Sequence, residues 1–167
     1  MNTKSPRIKG FPPIVNNRCR VLIVGTLPGP DSLIKYEYYG HSNNKFWPIM
    51  MDILGGDSAY PYKERTALLL KKRIALWDVY ESGIRPGASD SAIKTPEMND
   101  FVAFFRIYPK IERVYCNGNM AFQVFSRNFG QFVKQITVLP STSPAFAKPY
   151  GWKKKKWENI YKTRRQK

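Results

Sequence analysis

Residues Val21-Leu22-Ile23-Val24 are four consecutive apolar side chains, three of them β-branched, and Gly25-Thr26-Leu27-Pro28-Gly29 follows at once. Successive side chains of a strand point to opposite faces, so an uninterrupted apolar strand must be covered on both sides. Such a strand belongs inside an open sheet rather than at its surface. A buried strand that ends in a glycine-rich loop presents backbone N–H groups at its carboxyl end, where open α/β sheets bind ligands. The segment 20–47, which goes on to YYGHSNNKFW and the single histidine His41, is therefore where function is read first.

The rest of the chain alternates strand and helix patterns. Strands are expected over 20–25, 73–80, 113–117 and 135–139, and helices over 46–54, 60–72, 96–108, 119–129 and 152–163. Gly55-Gly56 closes the first of these helices, and Pro96 suits the first position of the third. The stretch 81–95, rich in Gly, Pro, Ser and Asp, reads as a loop. Residues 1–19 read as a basic arm that packs loosely at Phe11, and 20–167 as one domain, the number expected of 167 residues. Alternation of this kind implies a parallel sheet with helices on both faces and right-handed crossovers. The loops 25–44, 78–90, 117–118 and 140–146 all follow strands, so they should meet at one edge of the sheet.

Charge narrows the partners. There are 28 Lys and Arg against 12 Asp and Glu, a net charge of +16. A field of that sign draws polyanions, and counterion release from nucleic acid is the usual source of the affinity. Cys19 and Cys116 are the only cysteines, too few for a four-thiolate zinc or iron–sulfur site. A disulfide between them is unmotivated, because Cys116 falls in a core strand. The start MNTKSPRIKGFPP has charge without an apolar stretch, and no apolar run reaches membrane-spanning length. The expectation is a cytoplasmic, reduced protein without cofactor or metal.

The 25–29 loop by itself is either a ligand-binding wall or a tight turn. It is not a phosphate-binding P-loop, since no Gly-Lys-Ser/Thr follows, and it opens no dinucleotide-binding helix. The block 38–47 is more specific. Tyr38, Tyr39, Phe46 and Trp47 surround His41, Ser42, Asn43 and Asn44, and aromatic faces interleaved with amides suit a pocket that stacks a base and bonds its edge. The residues alone leave His41 as catalyst or as structural hydrogen-bonding group.

V-L-I-V-G-T-L-P-G, followed by Y-Y-G-H-S-N-N-K-F-W-P-I, resembles the signature of hypoxanthine-DNA (deoxyinosine) glycosylases, a branch of the uracil-DNA glycosylase superfamily. The similarity continues through Leu76-Trp77-Asp78-Val79, R-P-G-A-S-D-S-A-I (85–93), Asn117-Gly118 and P-S-T-S-P-A (140–145). It implies a three-layer α/β/α sandwich around a four-stranded, mostly parallel sheet. It also implies that the catalytic residue is the asparagine of the H-x-x-N-x-F-W block, here Asn44, with His41 beside it. Other branches carry a catalytic Asp or Asn in the first loop, where this chain has Thr26 and Leu27. Ser42 stands where the family usually has proline.

The implied activity is monofunctional removal of hypoxanthine by a monomer, with xanthine and uracil as further bases. Asn44 would hold a water for the anomeric carbon, and Gly25, Thr26, Leu27, Pro28, Gly29, Tyr39, Phe46 and Asn117 would form the base pocket. Asp78 accepts from the purine N1–H or is a structural carboxylate. Ser141, Thr142 and Ser143 match the superfamily's second, phosphate-holding motif, with Phe146 as wedge or core residue. Lys153, Lys154, Lys155 and Lys156, with Lys162, Arg164, Arg165 and Lys167, would grip phosphates from a helix anchored by Trp152 and Trp157. The substrate would be double-stranded DNA with deaminated bases, single-stranded DNA being a second candidate. Two other readings stand beside this one: a non-catalytic binder of damaged or single-stranded DNA, and a nucleotide-binding enzyme using the 25–29 loop.

Overall fold

The computed structural model describes residues 5–162. In chain order the elements are β1 (Arg7–Lys9), β2 (Val21–Gly25), α1 (Pro30–Lys35), α2 (Phe46–Leu54), α3 (Tyr62–Lys71), β3 (Ile74–Asp78), β4 (Tyr80–Ile84) and β5 (Lys94–Met98). They continue with α4 (Phe101–Ile107), β6 (Arg113–Asn117), α5 (Asn119–Phe129), β7 (Gln135–Leu139), α6 (Tyr150–Trp157) and α7 (Asn159–Lys162). Four strands form a parallel sheet in the order β3-β2-β6-β7, which puts β2 inside.

Every residue of β2 is buried, and its alternate side chains separate two cores. Val21 and Ile23 join Ile74, Leu76 and Leu139 under Phe46, Met50 and Leu54 of α2, Leu69 of α3, Trp157 of α6 and Ile160 of α7. Leu22 and Val24 face the other way, with Ala75, Val114 and Cys116, under Phe101, Phe104 and Phe105 of α4 and Phe125 and Phe129 of α5. The result is the three-layer α/β/α sandwich expected from the alternation. No helix among the described residues is long and apolar enough to cross a membrane. Cys19 and Cys116 are free and buried.

Three expectations need correction. The segment 5–19 is not a loose arm: Arg7–Lys9 pairs with β4, Phe11 and Cys19 are buried, and Ile14 exchanges two 2.9 Å backbone bonds with Leu76. That bridge covers the exposed edge of β3, which would otherwise invite pairing with another chain. The stretch 81–95 is not all loop, because β4 and β5 form a three-stranded antiparallel sheet with β1. Gly83, a loop signal in sequence, instead leaves room for Leu27 and Ile93, whose methyls lie 3.4 Å from where a Cβ would stand.

Finally, Pro96 does not open a helix. It lies in β5, an exposed edge strand where a missing N–H costs little. Helix α4 begins five residues later, where the Asp100 side chain accepts from the Ala103 N–H at 2.9 Å. The closing helix starts at Tyr150 and breaks at Glu158. Arg164, Arg165 and Lys167 lie outside the described residues.

The aromatic packing above the second core gives a stability test. Phe125 is fully buried, with Phe101 5.1 Å away in an edge-on contact. Phe125→Ala should lower unfolding free energy by about 3–5 kcal/mol in urea titration. Phe132→Ala, at a side chain 41% exposed, should stay within roughly 0.5 kcal/mol.

Candidate active site

From β2 the chain leaves toward α1 and α2 on one face; from the adjacent β6 it leaves toward α5 on the other. The carboxyl ends of β2 and β6 therefore flank a crevice, the place where open sheets bind ligands. A cavity of about 710 Å³ lies there, lined from all four loops expected to converge: 25–32 with 38–44, the 78–91 region, Asn117, and 141–146.

Its floor depends on a missing side chain. Gly25 is paired with Asp78 in the sheet. A Cβ on Gly25 would stand 2.5 Å from Asp78 Oδ1 and 2.8 Å from Tyr39 Oη, so only glycine lets those two oxygens approach one point. Burial raises the Asp78 carboxyl to about 7; the Arg85 guanidinium works against this and the Asp90 carboxylate with it. Tyr39 Oη is the one buried side-chain polar atom without a hydrogen-bond partner among the described residues. Burial first, then the Asp78 carboxylate, hold that phenol protonated far above the usual range, with the nearby Asn117 amide pulling the other way. Its backbone has φ +54°, a conformation that costs a non-glycine residue about 1 kcal/mol or more. A strained residue carrying an unsatisfied buried donor marks a place prepared for a ligand.

Asn44 and His41 also line the cavity. The Asn44 side-chain oxygen accepts from the Phe46 N–H at 2.9 Å at the start of α2, which fixes the amide and leaves its second lone pair available. The His41 ring is held by its own turn: Nδ1 accepts from the Asn43 N–H at 3.1 Å, and Nε2 is 3.8 Å from Asp31 Oδ2.

Several residues expected to touch ligand instead build the frame. Phe46 does not line the cavity; it is fully buried and stacks on Tyr39 with ring centres 4.1 Å apart. Asn117 lines the cavity, but both ends of its amide bind Thr142: Nδ2 donates to Oγ1 and Oδ1 accepts from the backbone N–H, each at 2.9 Å. Thr142 is wholly buried and its carbonyl accepts from the Lys45 N–H, so it ties strand end to loop. Ser141 and Ser143 are half-buried in turn bonds to the N–H groups of Ser143 and Ala145.

The lysine run divides. Lys153 is buried and donates to the Ser143 carbonyl at 3.0 Å, and Lys154 pairs with Asp52 at 3.2 Å. Lys155 and Lys156 are exposed. Trp157 anchors the helix and donates to the Pro140 carbonyl, whereas Trp152 is exposed.

The model of the uracil DNA glycosylase superfamily matches residues 12–163. The chain belongs to that superfamily. A hypoxanthine DNA glycosylase of Methanosarcina barkeri (strain Fusaro / DSM 804) is 34% identical over 157 residues, covering 92% of this chain and 98% of the relative. One from Methanosarcina acetivorans is 35% identical over 159 residues, with the same coverage. The solution NMR structure of a candidate uracil DNA glycosylase from M. acetivorans superposes with a TM-score of 0.81 at 31% identity, covering 95% of this chain and 98% of that one. The crystal structure of Pedobacter heparinus SMUG2 shares the fold alone, at 13% identity and TM-score 0.56 over 90% of this chain and 77% of that one.

In this superfamily member the cleft has a clamp that sequence reasoning passed over. Arg85, its side chain 7% exposed, donates to the Leu27 and Ala88 carbonyls and to Asp90 Oδ1 at 3.0 Å. The same Asp90 oxygen accepts from Thr26 Oγ1 at 2.7 Å. The 85–93 loop is thereby locked onto the 25–29 loop. The signal was the lone Arg-Asp pair inside a small-residue loop, facing a threonine sixty-four residues away in sequence.

Asp78 should be visible in stability. The folded state holds its proton up to about pH 7, the unfolded chain only to about 4. Ionisation in the fold is thus a cost that grows as pH rises between those values and is absent below them. Asp78→Asn is expected to raise Tm relative to the parent more at pH 8 than at pH 4; an equal difference at both would show an ordinary carboxylate. Gly25→Ala should lose excision and melt earlier, because its methyl overlaps Asp78 and Tyr39.

Proposed function

We propose that this protein is a monofunctional DNA glycosylase that removes deaminated bases, chiefly hypoxanthine from deoxyinosine, in base excision repair. The observation that carries the reading is the meeting of Asp78 Oδ1 and the unsatisfied Tyr39 hydroxyl over Gly25, in a cavity that Asn44 also lines. Hypoxanthine offers a carbonyl beside a ring N–H. A phenol donating to O6 and a carboxylate accepting from N1–H complement that edge, whereas adenine presents the opposite order. Uracil has the same carbonyl and N–H arrangement, so uracil is the second base to assay.

In the proposed step the C1′–N9 bond breaks with its electron pair leaving on the purine, and a water oxygen bonds C1′. Asn44, oriented by the Phe46 N–H, accepts a hydrogen bond from that water. A neutral amide is a weak base, so the acceleration comes from placing the water and from donors that stabilise the departing purine. The water's proton is released as the product forms and the purine leaves neutral after protonation. No cofactor enters. Among the described residues no lysine lines the cavity, so no amine is there to attack C1′ and the strand should stay intact. A wobble-paired inosine costs less to flip out than a Watson–Crick pair.

The experiment is single-turnover excision from a deoxyinosine duplex. Asn44→Ala should slow it by at least about 100-fold with duplex binding retained. Asn44→Ser keeps an oxygen for the start of α2 but cannot position the water, and should be equally slow. Parental rates in both variants would remove Asn44 from the mechanism. Product strands should break only after alkali.

A further inference from the structure

Beyond the cavity mouth two large aromatic side chains stand in solvent. Trp152 on α6 is 42% exposed and Phe146 on the 140–149 loop is 39% exposed, with ring centres 6.3 Å apart. Phe146 also lines the cavity, so the pair leads outward from it. The other three tryptophans each donate their indole N–H to a backbone carbonyl, of Tyr38, Phe11 or Pro140. Trp152 is the exposed one.

The pair is ringed by cations. Lys148 and Lys156 each place Nζ 5.8 Å from the Trp152 ring, and Lys153 Nζ is 5.4 Å from Phe146. Among the described residues no carboxylate pairs with Lys148, Lys155 or Lys156; the acidic partner in this region, Asp52, is taken by Lys154 and Tyr150. Like charges gathered on two exposed ring faces repel one another until an anion arrives. The platform is also held in shape: the Phe146 N–H and Lys153 Nζ both donate to the Ser143 carbonyl, and the Lys148 N–H donates to that of Phe146.

We infer that Trp152 and Phe146 form a stacking platform for unpaired nucleobases, giving this protein a single-stranded DNA site beside the cavity. Duplex DNA hides its base faces and offers phosphates and edges only, so it would use the lysines and leave the rings idle. A single strand offers phosphates and π-faces together, the combination this surface complements. The glycosylase reading enters only in placing that strand next to an extruded nucleotide.

The test uses the full chain and a lesion-free oligothymidine of about 12 nucleotides. Binding should quench tryptophan fluorescence, and Trp152→Phe should abolish most of the quenching while affinity stays within about threefold, a ring still being present. Trp152→Ala should weaken binding roughly 5- to 150-fold. The slope of affinity against salt should not change, because the phosphate contacts remain. Its effect on a plain duplex should be under about twofold. Heparin, a polyanion without bases, should compete at low salt but not quench.

Unchanged affinity in Trp152→Ala, an equal loss on duplex, or equal quenching by heparin would each overturn the platform. Because the strand carries no lesion, such a result leaves the excision reading standing. Absent excision with intact stacking would strike only the excision reading.

Discussion

The cleft depends on the parallel pairing of β2 with β3 and β6, in a register that sets Gly25 opposite Asp78. Both faces of β2 are buried, and a slip of one residue would send Val21 and Ile23 into the wrong core. Burial on two sides therefore fixes where the strand ends. At that end the missing Cβ of Gly25 lets a carboxyl and a phenol approach the same point. The raised affinity of Asp78 for its proton, the unsatisfied hydroxyl of Tyr39 and the opening of the cavity all follow from that placement.

Chemistry and affinity are kept apart. Inside the cavity the one guanidinium, Arg85, is committed to carbonyls and Asp90, and the Asn44 amide and the Tyr39 phenol carry no charge. Fixed dipoles in a desolvated site need no rearrangement as charge develops, and the step proposed for Asn44 relies on that. Exposed positive charge sits elsewhere, for instance at Lys148, Lys155 and Lys156 on α6 and the 140–149 loop. There it can attract phosphates without raising a cation against a developing sugar cation.

The parallel sheet and its helices were legible because their signals are local: four apolar residues in β2, the glycine stop after α2, the periodicity of α5. The convergence of four loops followed from topology. What was hidden depends on contacts distant in sequence. Gly83 and Pro96 carry turn chemistry but sit in strands, Gly83 in β4, which pairs with β1 on one side and β5 on the other, and Pro96 in the edge strand β5. That Thr142 is clasped by the Asn117 amide, at its hydroxyl oxygen and its N–H, shows only in the fold. Lys153 belongs to a run of four lysines, and only the turn of α6 shows that it faces inward to Ser143. Asn44 was found through a motif, but its bond to Phe46, which aims it, was not predictable from the residues.

The most direct measurement of the central claim is the identity of any free base released when the purified protein meets matched duplexes. Each duplex would carry one deoxyinosine, deoxyadenosine, deoxyxanthosine or deoxyuridine, with products read by mass spectrometry. Hypoxanthine should appear fastest, adenine not at all. Folded protein that binds the deoxyinosine duplex yet frees no base, or frees adenine as readily, would contradict the assignment of the Asp78–Tyr39–Asn44 cavity as a deaminated-purine site.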